Sequence, residues 1–164
     1  GDSIMLDASS TAVYVAKTLL EQGKEESYRA HKLCGDYHRA FGAQDWKVLS
    51  TGGESREGSF ALVGYQTDRM LRSYHVDKAI ISAKGIDMNA GLTDSDDLHA
   101  NNKRTMLTRA KEKILAVDSS KFDQVAFAEI GSLDQITTIV TDAKPETRWL
   151  QHFDKIGVKC IYPK

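Results

Sequence analysis

Ser3-Ile4-Met5-Leu6-Asp7-Ala8-Ser9-Ser10-Thr11 decides the fold class. A short apolar run, Ser3 to Leu6, breaks into a turn of one acid and three hydroxyls. Val13, Ala16, Lys17 and Leu20 then keep helical spacing until Gly23 stops it. The same order of strand, polar turn and helix recurs downstream. Val48-Leu49-Ser50 runs into Thr51-Gly52-Gly53, Phe60 to Val63 alternates briefly, and Thr67 to Tyr74 reads as a helix. Lys78 to Ser82 reads as a buried strand closed by Gly85, a polar loop reaches to about Asp97, and a helix follows from Leu98 to Lys111. Ile114 to Val117, Ile136 to Val140 and Val158 to Tyr162 supply further strands. Between the last two lies a helix from Glu146 to Lys155, started by Pro145 and ended by Gly157. Strands separated by helices predict an α/β fold, a mainly parallel sheet flanked by helices, in a single domain over residues 1–164.

Bulk properties narrow the function. A hydrophobic share of 41% and a charged share of 27% are globular averages, so neither disorder nor a fibre is indicated. A net charge of -1 lacks the clustered Lys and Arg of a nucleic-acid module, so this segment alone is not expected to bind DNA. No apolar run approaches the roughly 20 residues that cross a bilayer, and no signal peptide opens the chain. A cytoplasmic protein without a membrane partner is expected. Cys34 and Cys160 lie far apart outside any Cys-x-x-Cys pair, and the five histidines are scattered. No metal and no cofactor is expected.

Open α/β sheets hold ligands beyond the carboxyl ends of their strands, which directs attention to the turns after Leu6, Ser50, Ser82 and Val117. Asp7-Ala8-Ser9-Ser10-Thr11 offers hydroxyls and unpaired N–H groups at a helix start, where the dipole also attracts a phosphate. Ser9 or Ser10 as a plain helix cap is the alternative reading. Thr51-Gly52-Gly53 allows close backbone approach to a ligand, or simply a turn. Ala83-Lys84-Gly85-Ile86-Asp87 again places glycine after a strand, with an acid able to accept sugar hydroxyls, or forms a plain loop. Asp118-Ser119-Ser120-Lys121 combines a carboxylate, hydroxyls and an ammonium that suit a phosphate, or forms a solvated turn. Together these turns are rich in phosphate and hydroxyl partners and poor in aromatics, which fits a sugar phosphate better than a nucleotide base.

The ordered set also includes Ser59 to Gly64, Asp77-Lys78-Ala79, Gly91-Leu92-Thr93 and Phe122. In that order the chain resembles the C-terminal sensor domain of DeoR-family repressors over nearly its whole length. The resemblance implies a fold related to ribose-5-phosphate isomerases and CoA transferases (the ISOCOT fold), a phosphorylated-sugar effector, and homo-oligomerisation. Family members carry a winged helix-turn-helix before this domain. The chain begins at Gly1, directly before the first strand, so DNA contact is expected only through that N-terminal domain, in the intact protein. The effector-binding residues carried over are Asp7, Ser9, Ser10, Thr11, Gly52, Gly53, Gly85, Lys103, Asp118, Ser119 and Lys121, with Lys103 on a helix where a solvated lysine is the plain alternative.

One stretch departs from the family. After Gly23 the family has a β-strand, a Thr-Asn-Ser turn and an apolar helix, whereas Glu25 to Ala43 is polar and aperiodic. Dropping one base on back-translation changes the peptide. The His31/Lys32 junction then encodes Thr or Ile and Lys32/Leu33 Asn or Ser, making Thr-Asn-Ser-Val-Glu available. The junctions from Asp36 to Arg39 give Ile or Thr, and Trp46 lies back in the original frame. A compensated frameshift across this stretch is the resulting expectation.

The rival function is an isomerase on the same scaffold, which needs a carboxylate base to move a proton between adjacent carbons. Such isomerases carry a denser acidic motif resembling Asp-Gly-Ala-Asp-Glu, whereas Ala83 to Asp87 offers one acid and places Lys84 beside the glycine. Binding without turnover, and hence no enzyme, is the expectation. An oligomerisation module with a vestigial pocket is the third possibility.

Overall fold

The computed structural model describes residues 1–22, 29–32, 48–56, 59 and 61–164. Its centre is a sheet that runs, edge to edge, through β11 (Lys159–Ile161), β10 (Thr138–Val140), β8 (Ala110–Ala116), β5 (Val76–Ile81), β1 (Ser3–Leu6) and β2 (Arg29–Lys32). Every pairing in it is parallel. Four described helices accompany it: α1 (Ser10–Gln22), α2 (Tyr65–Arg72), α3 (Asp97–Arg109) and α4 (Thr147–Lys155). The expected α/β architecture is therefore present.

The central strands β1 and β5 bury side chains on both faces of the sheet, as a parallel sheet requires. Side chains alternate across a strand, so neighbours in β1 enter different cores. Ile4 and Leu6 join Ile80 and Ala116 beneath Ala12 and Ala16 of α1. Met5, Ala79, Ile81 and Leu115 face the other way, into a larger core with Leu71, Met106, Trp149 and Phe153. Val13 and Leu19 pack against the same cluster as Ile4 and Leu6, which sets α1 on one side of β1.

Three local expectations are revised. The segment between Ser82 and Asp97, read as a polar loop, contains β6 (Gly85–Asp87) and β7 (Gly91–Asp94), an antiparallel hairpin joined by β9 (Ala128–Gly131). Ile86 and Leu92 are fully buried in it, and Asp87 Oδ1 accepts the N–H groups of Asn89 and Ala90, both at 2.8 Å, to close its turn. Strands this short carry too few alternations to be seen in sequence. Helix α3 ends at Arg109 rather than Lys111, because Ala110 already pairs with Val76 as the first residue of β8. Finally, a strand stands inside the stretch Glu25 to Ala43: Arg29–Lys32 pairs with Ser3–Leu6 residue for residue. Four residues held by backbone pairing need no side-chain period. Residues 23–28 and 33–47, and with them the reframed turn and helix, lie outside the described residues.

A second short hairpin, β3 (Glu54–Ser55) with β4 (Leu62–Val63), leads into α2. Gly53, just before it, has φ 111 and packs so closely that a Cβ would stand 2.2 Å from Thr67 Oγ1 and 2.6 Å from the Val63 carbonyl oxygen. Only glycine fits there.

Candidate functional site

Strand order reverses at β1: its chain neighbour β2 lies on one side, and β5, β8, β10 and β11 extend on the other. The crevice beyond the carboxyl ends of β1 and β5 is the place where such sheets receive ligands. The two ends are tied together there. Asp7 N–H donates to the Ile80 carbonyl at 3.1 Å, and Ser82 N–H donates to Asp7 Oδ2 at 2.8 Å. Beside this junction a cavity of about 580 Å³ opens.

The start of α1 supplies one wall, through Ser9, Ser10 and Thr11. Ser9 is committed to the fold: its Oγ donates to Asp7 Oδ1 at 2.5 Å and accepts the Ala12 N–H at 3.1 Å. It caps α1, the plainer of its two sequence readings. Ser10 is exposed, and neither it nor Thr11 has a side-chain hydrogen bond among the described residues, so both hydroxyls are free to meet a ligand. Ser82, Ala83 and Lys84, at the end of β5, form the adjoining wall.

The floor is ionic. Lys103 on α3 is 6% exposed and forms ion pairs with Asp94, at the end of β7, and with Asp7 at 3.4 Å. Burial works against its charge, but the two carboxylates outweigh burial and hold the ammonium above its ordinary pKa. Asp94 also accepts Ser95 N–H at 2.7 Å. One ammonium between two buried carboxylates leaves this floor with a net negative charge.

The rim is mixed. Arg56, after β3, forms an ion pair with Asp96, which caps α3 by accepting the N–H groups of Leu98 at 3.0 Å and His99 at 3.1 Å. Burial pushes the Asp96 carboxyl up, while the His99 N–H and the Arg56 charge together bring it below the usual range. Opposite, Asp118 caps a 3-10 turn (Ser119–Lys121) through Ser120 N–H at 3.0 Å, and Lys121 Nζ lies 3.6 Å from Asp118. The Ser120 hydroxyl is the main reason the Asp118 carboxyl titrates low. Phe122 anchors this turn, its ring meeting Trp149 edge-on at 5.1 Å.

The chain matches the DeoR C terminal sensor domain over residues 1–143. It belongs to that family. The HTH-type transcriptional regulator YulB of Bacillus subtilis (strain 168) is 36% identical over 143 residues, 87% of this chain and 54% of that protein. The L-fucose operon activator of Escherichia coli (strain K12) is 33% identical over 144 residues, 88% of this chain and 58% of its own length. The sensor domain thus spans a little over half the length of these curated relatives. Among solved structures, eIF2B delta from Chaetomium thermophilum aligns with a TM-score of 0.54 at 20% identity, covering 85% of this chain and 48% of that one. That likeness is one of fold alone, the ISOCOT-like frame anticipated from sequence.

Of the residues the sequence nominated in this DeoR-type domain, Ser9, Ser10, Thr11, Lys103, Asp118 and Lys121 come together around the cavity, with Asp7 directly beneath. Gly52, Gly53, Gly85 and Ser119 lie outside its lining. Gly52 turns its carbonyl to Thr67 Oγ1 at 2.7 Å, and a Cβ on Gly85 would stand 2.3 Å from the Gln124 carbonyl oxygen. Gly85 thus serves close backbone packing, whereas Gly52 has open space about it and serves a turn with φ 64. Ser119 is exposed and donates its N–H to Asp142 at 2.6 Å. The cavity also recruits Arg56, Ser59, Asp94, Asp96 and His99, which sequence reading had not nominated as effector-binding, and Lys84 from the Ala83 to Asp87 turn that it had singled out. Asp94-Ser95-Asp96 did carry a signal: an acid-rich N-cap directly before a helix.

Among the described residues no group of three or more His, Cys, Asp or Glu side chains is placed to hold a metal, and no helix is long and apolar enough to cross a membrane.

Proposed function

We propose that this chain is the effector-binding domain of a DeoR-type regulator of carbohydrate metabolism, and that its cavity binds a phosphorylated sugar. The observation that carries the reading is the cavity itself, about 580 Å³ at the sheet's switch point. It offers free hydroxyls at a helix start, cationic side chains at the rim and carboxylates at the floor, and among the described residues its lining holds no Phe, Tyr or Trp. Such donors and acceptors match a phosphate with neighbouring hydroxyls better than they match a nucleobase.

The relatives are regulators of transcription, and one is named for an L-fucose operon. The proposal extends this to the intact protein: a homo-oligomer whose N-terminal winged helix-turn-helix contacts DNA, cytoplasmic, and switched by the differential affinity of the sugar phosphate for its DNA-binding states. Turnover is not part of the reading. A base needs a carboxylate available to the reacting carbon, but those of the lining are engaged, Asp94 by Lys103, Asp96 by Arg56 and its helix cap, Asp118 by Ser120 and Lys121, and Asp87 closes its own turn outside the cavity.

Calorimetry against a panel of sugar phosphates tests this, combined with product analysis of the same mixtures. Heat of binding without product is the expected result. Conversion of a sugar phosphate would establish an isomerase, and silence across the panel would leave an oligomerisation module.

A further inference from the structure

The charges around the cavity do not all have the same work to do. Arg56 is paired with Asp96, Lys121 with Asp118, and Lys103 is shared by Asp94 and Asp7. Among the described residues, Lys84 is the one lysine or arginine of the lining that forms no ion pair. Its side chain is exposed, while its backbone is fixed by an N–H bond to the Thr93 carbonyl at 2.9 Å. The floor is the opposite case. Asp7, Asp94 and Lys103 are 2%, 3% and 6% exposed, and their charges sum to one negative unit in a place with little water to screen it.

We infer that the cavity reads its ligand by two ends: Lys84 receives the single phosphate, and Asp94 with Lys103 receives a hydroxyl and turns a second phosphate away. The inference rests on the sugar-phosphate reading above and names the class within it, a monophosphate with a free polyol end. Asp94 is the acceptor at the floor because it lines the cavity and Asp7 does not. Asp7 also takes four donors, Ser9 N–H, Ser9 Oγ, Ser82 N–H and Lys103, against three at Asp94, which are Lys103 and the N–H and hydroxyl of Ser95, so Asp94 keeps the place for one more. A carboxylate only accepts, so it needs a donor, which a hydroxyl supplies and a phosphate dianion does not. The lysine ammonium has three donors and two carboxylates to serve, leaving one N–H for the same hydroxyl's oxygen. Lys103 therefore positions and balances the floor, and phosphate recognition falls to the rim beside Ser10 and Thr11.

Titration calorimetry on the unaltered chain with fructose 1-phosphate, fructose 6-phosphate, glucose 6-phosphate and fructose 1,6-bisphosphate provides the test, repeated on two variants. At least one monophosphate is expected to bind at least tenfold more tightly than the bisphosphate. Lys84→Ala should weaken that monophosphate at least tenfold and flatten its salt dependence, with Lys84→Arg restoring both. Asp94→Asn should narrow the preference for monophosphate over bisphosphate at least tenfold, a change that mere loosening of the fold would not produce. A bisphosphate bound within tenfold of the best monophosphate, or a Lys84→Ala chain with unchanged affinity, overturns the inference while leaving sugar-phosphate sensing intact. Silence of every phosphate overturns the functional reading itself. Should Asp94→Asn fail to fold, the comparison on the unaltered chain and the exposed Lys84 variants still decide.

Discussion

Lys103 is the residue whose sequence signal and structural role differ most. In sequence it is one lysine on a polar helix, and in the fold it is buried between two carboxylates. Removing one partner of a buried ion pair leaves uncompensated charge, at about 3–5 kcal/mol. Lys103→Met is expected to lose stability on that order, measured as a shift in the urea unfolding midpoint. A loss no larger than that of a surface substitution would contradict the triad. The pH dependence has a definite sign. The ammonium's pKa is raised on folding, so its contribution is fully present below the free lysine value of about 10.4 and is lost as pH climbs through the raised one. The gap in stability between the unaltered chain and Lys103→Met should therefore stay constant at neutral pH and shrink only in strong alkali. Sequence could nominate Lys103 through family likeness. It could not pair it, because Asp7, Asp94 and Lys103 stand on three separate elements, the end of β1, the end of β7 and α3.

At the scale of elements, the caps decide where the cavity walls begin. Asp96 starts α3 and also holds Arg56. Asp96→Ala should cost about 1 kcal/mol as a lost cap, read from thermal or urea unfolding, whereas Asp96→Asn keeps the cap and loses only the charge. Because the Asp96 carboxyl is lowered on folding, its charge contributes above the free carboxylate value of about 3.9 and is lost as pH falls through the lowered one. Acid titration of both proteins should find their stabilities converging below that window. Gly53→Ala places a methyl against Thr67 and the Val63 carbonyl at φ 111, and strain of about 1–3 kcal/mol is expected from the backbone conformation alone, checked by the same unfolding curves. The long helices were legible from their spacing, and the core strands β1, β5 and β8 from apolar runs that end in polar turns. The hairpin β6–β7 and strand β9 were not, since three or four residues alternate too little to announce a strand.

For the molecule as a whole, a ligand that binds only the folded state stabilises it by mass action, about 2.7 kcal/mol at a hundredfold excess over its Kd. The cognate sugar monophosphate should therefore raise the unfolding midpoint in a concentration-dependent way while neutral sugars leave it unmoved, and thermal unfolding across the panel checks it. The stretch Glu25 to Ala43 calls for a separate measurement. Peptide mapping of the protein made from its natural gene is expected to recover a Thr-Asn-Ser-type peptide in place of His31 to Gly35, and recovery of the residues as they stand would exclude the reframing. What the chain determines by itself is the order of its elements and the polar residues at their ends, because periodicity, caps and glycine stops act over a few residues. Which of those ends meet was decided only in three dimensions. Burial sets β1 beside β5, some seventy positions away in the chain, and that choice brings Asp7, Ser10 and Thr11 to Lys84, Asp94 and Lys103 at one cavity, while Gly53 and Gly85 serve backbone packing. Long-range contact is selected by the burial of the whole sheet, and no short window of sequence contains it.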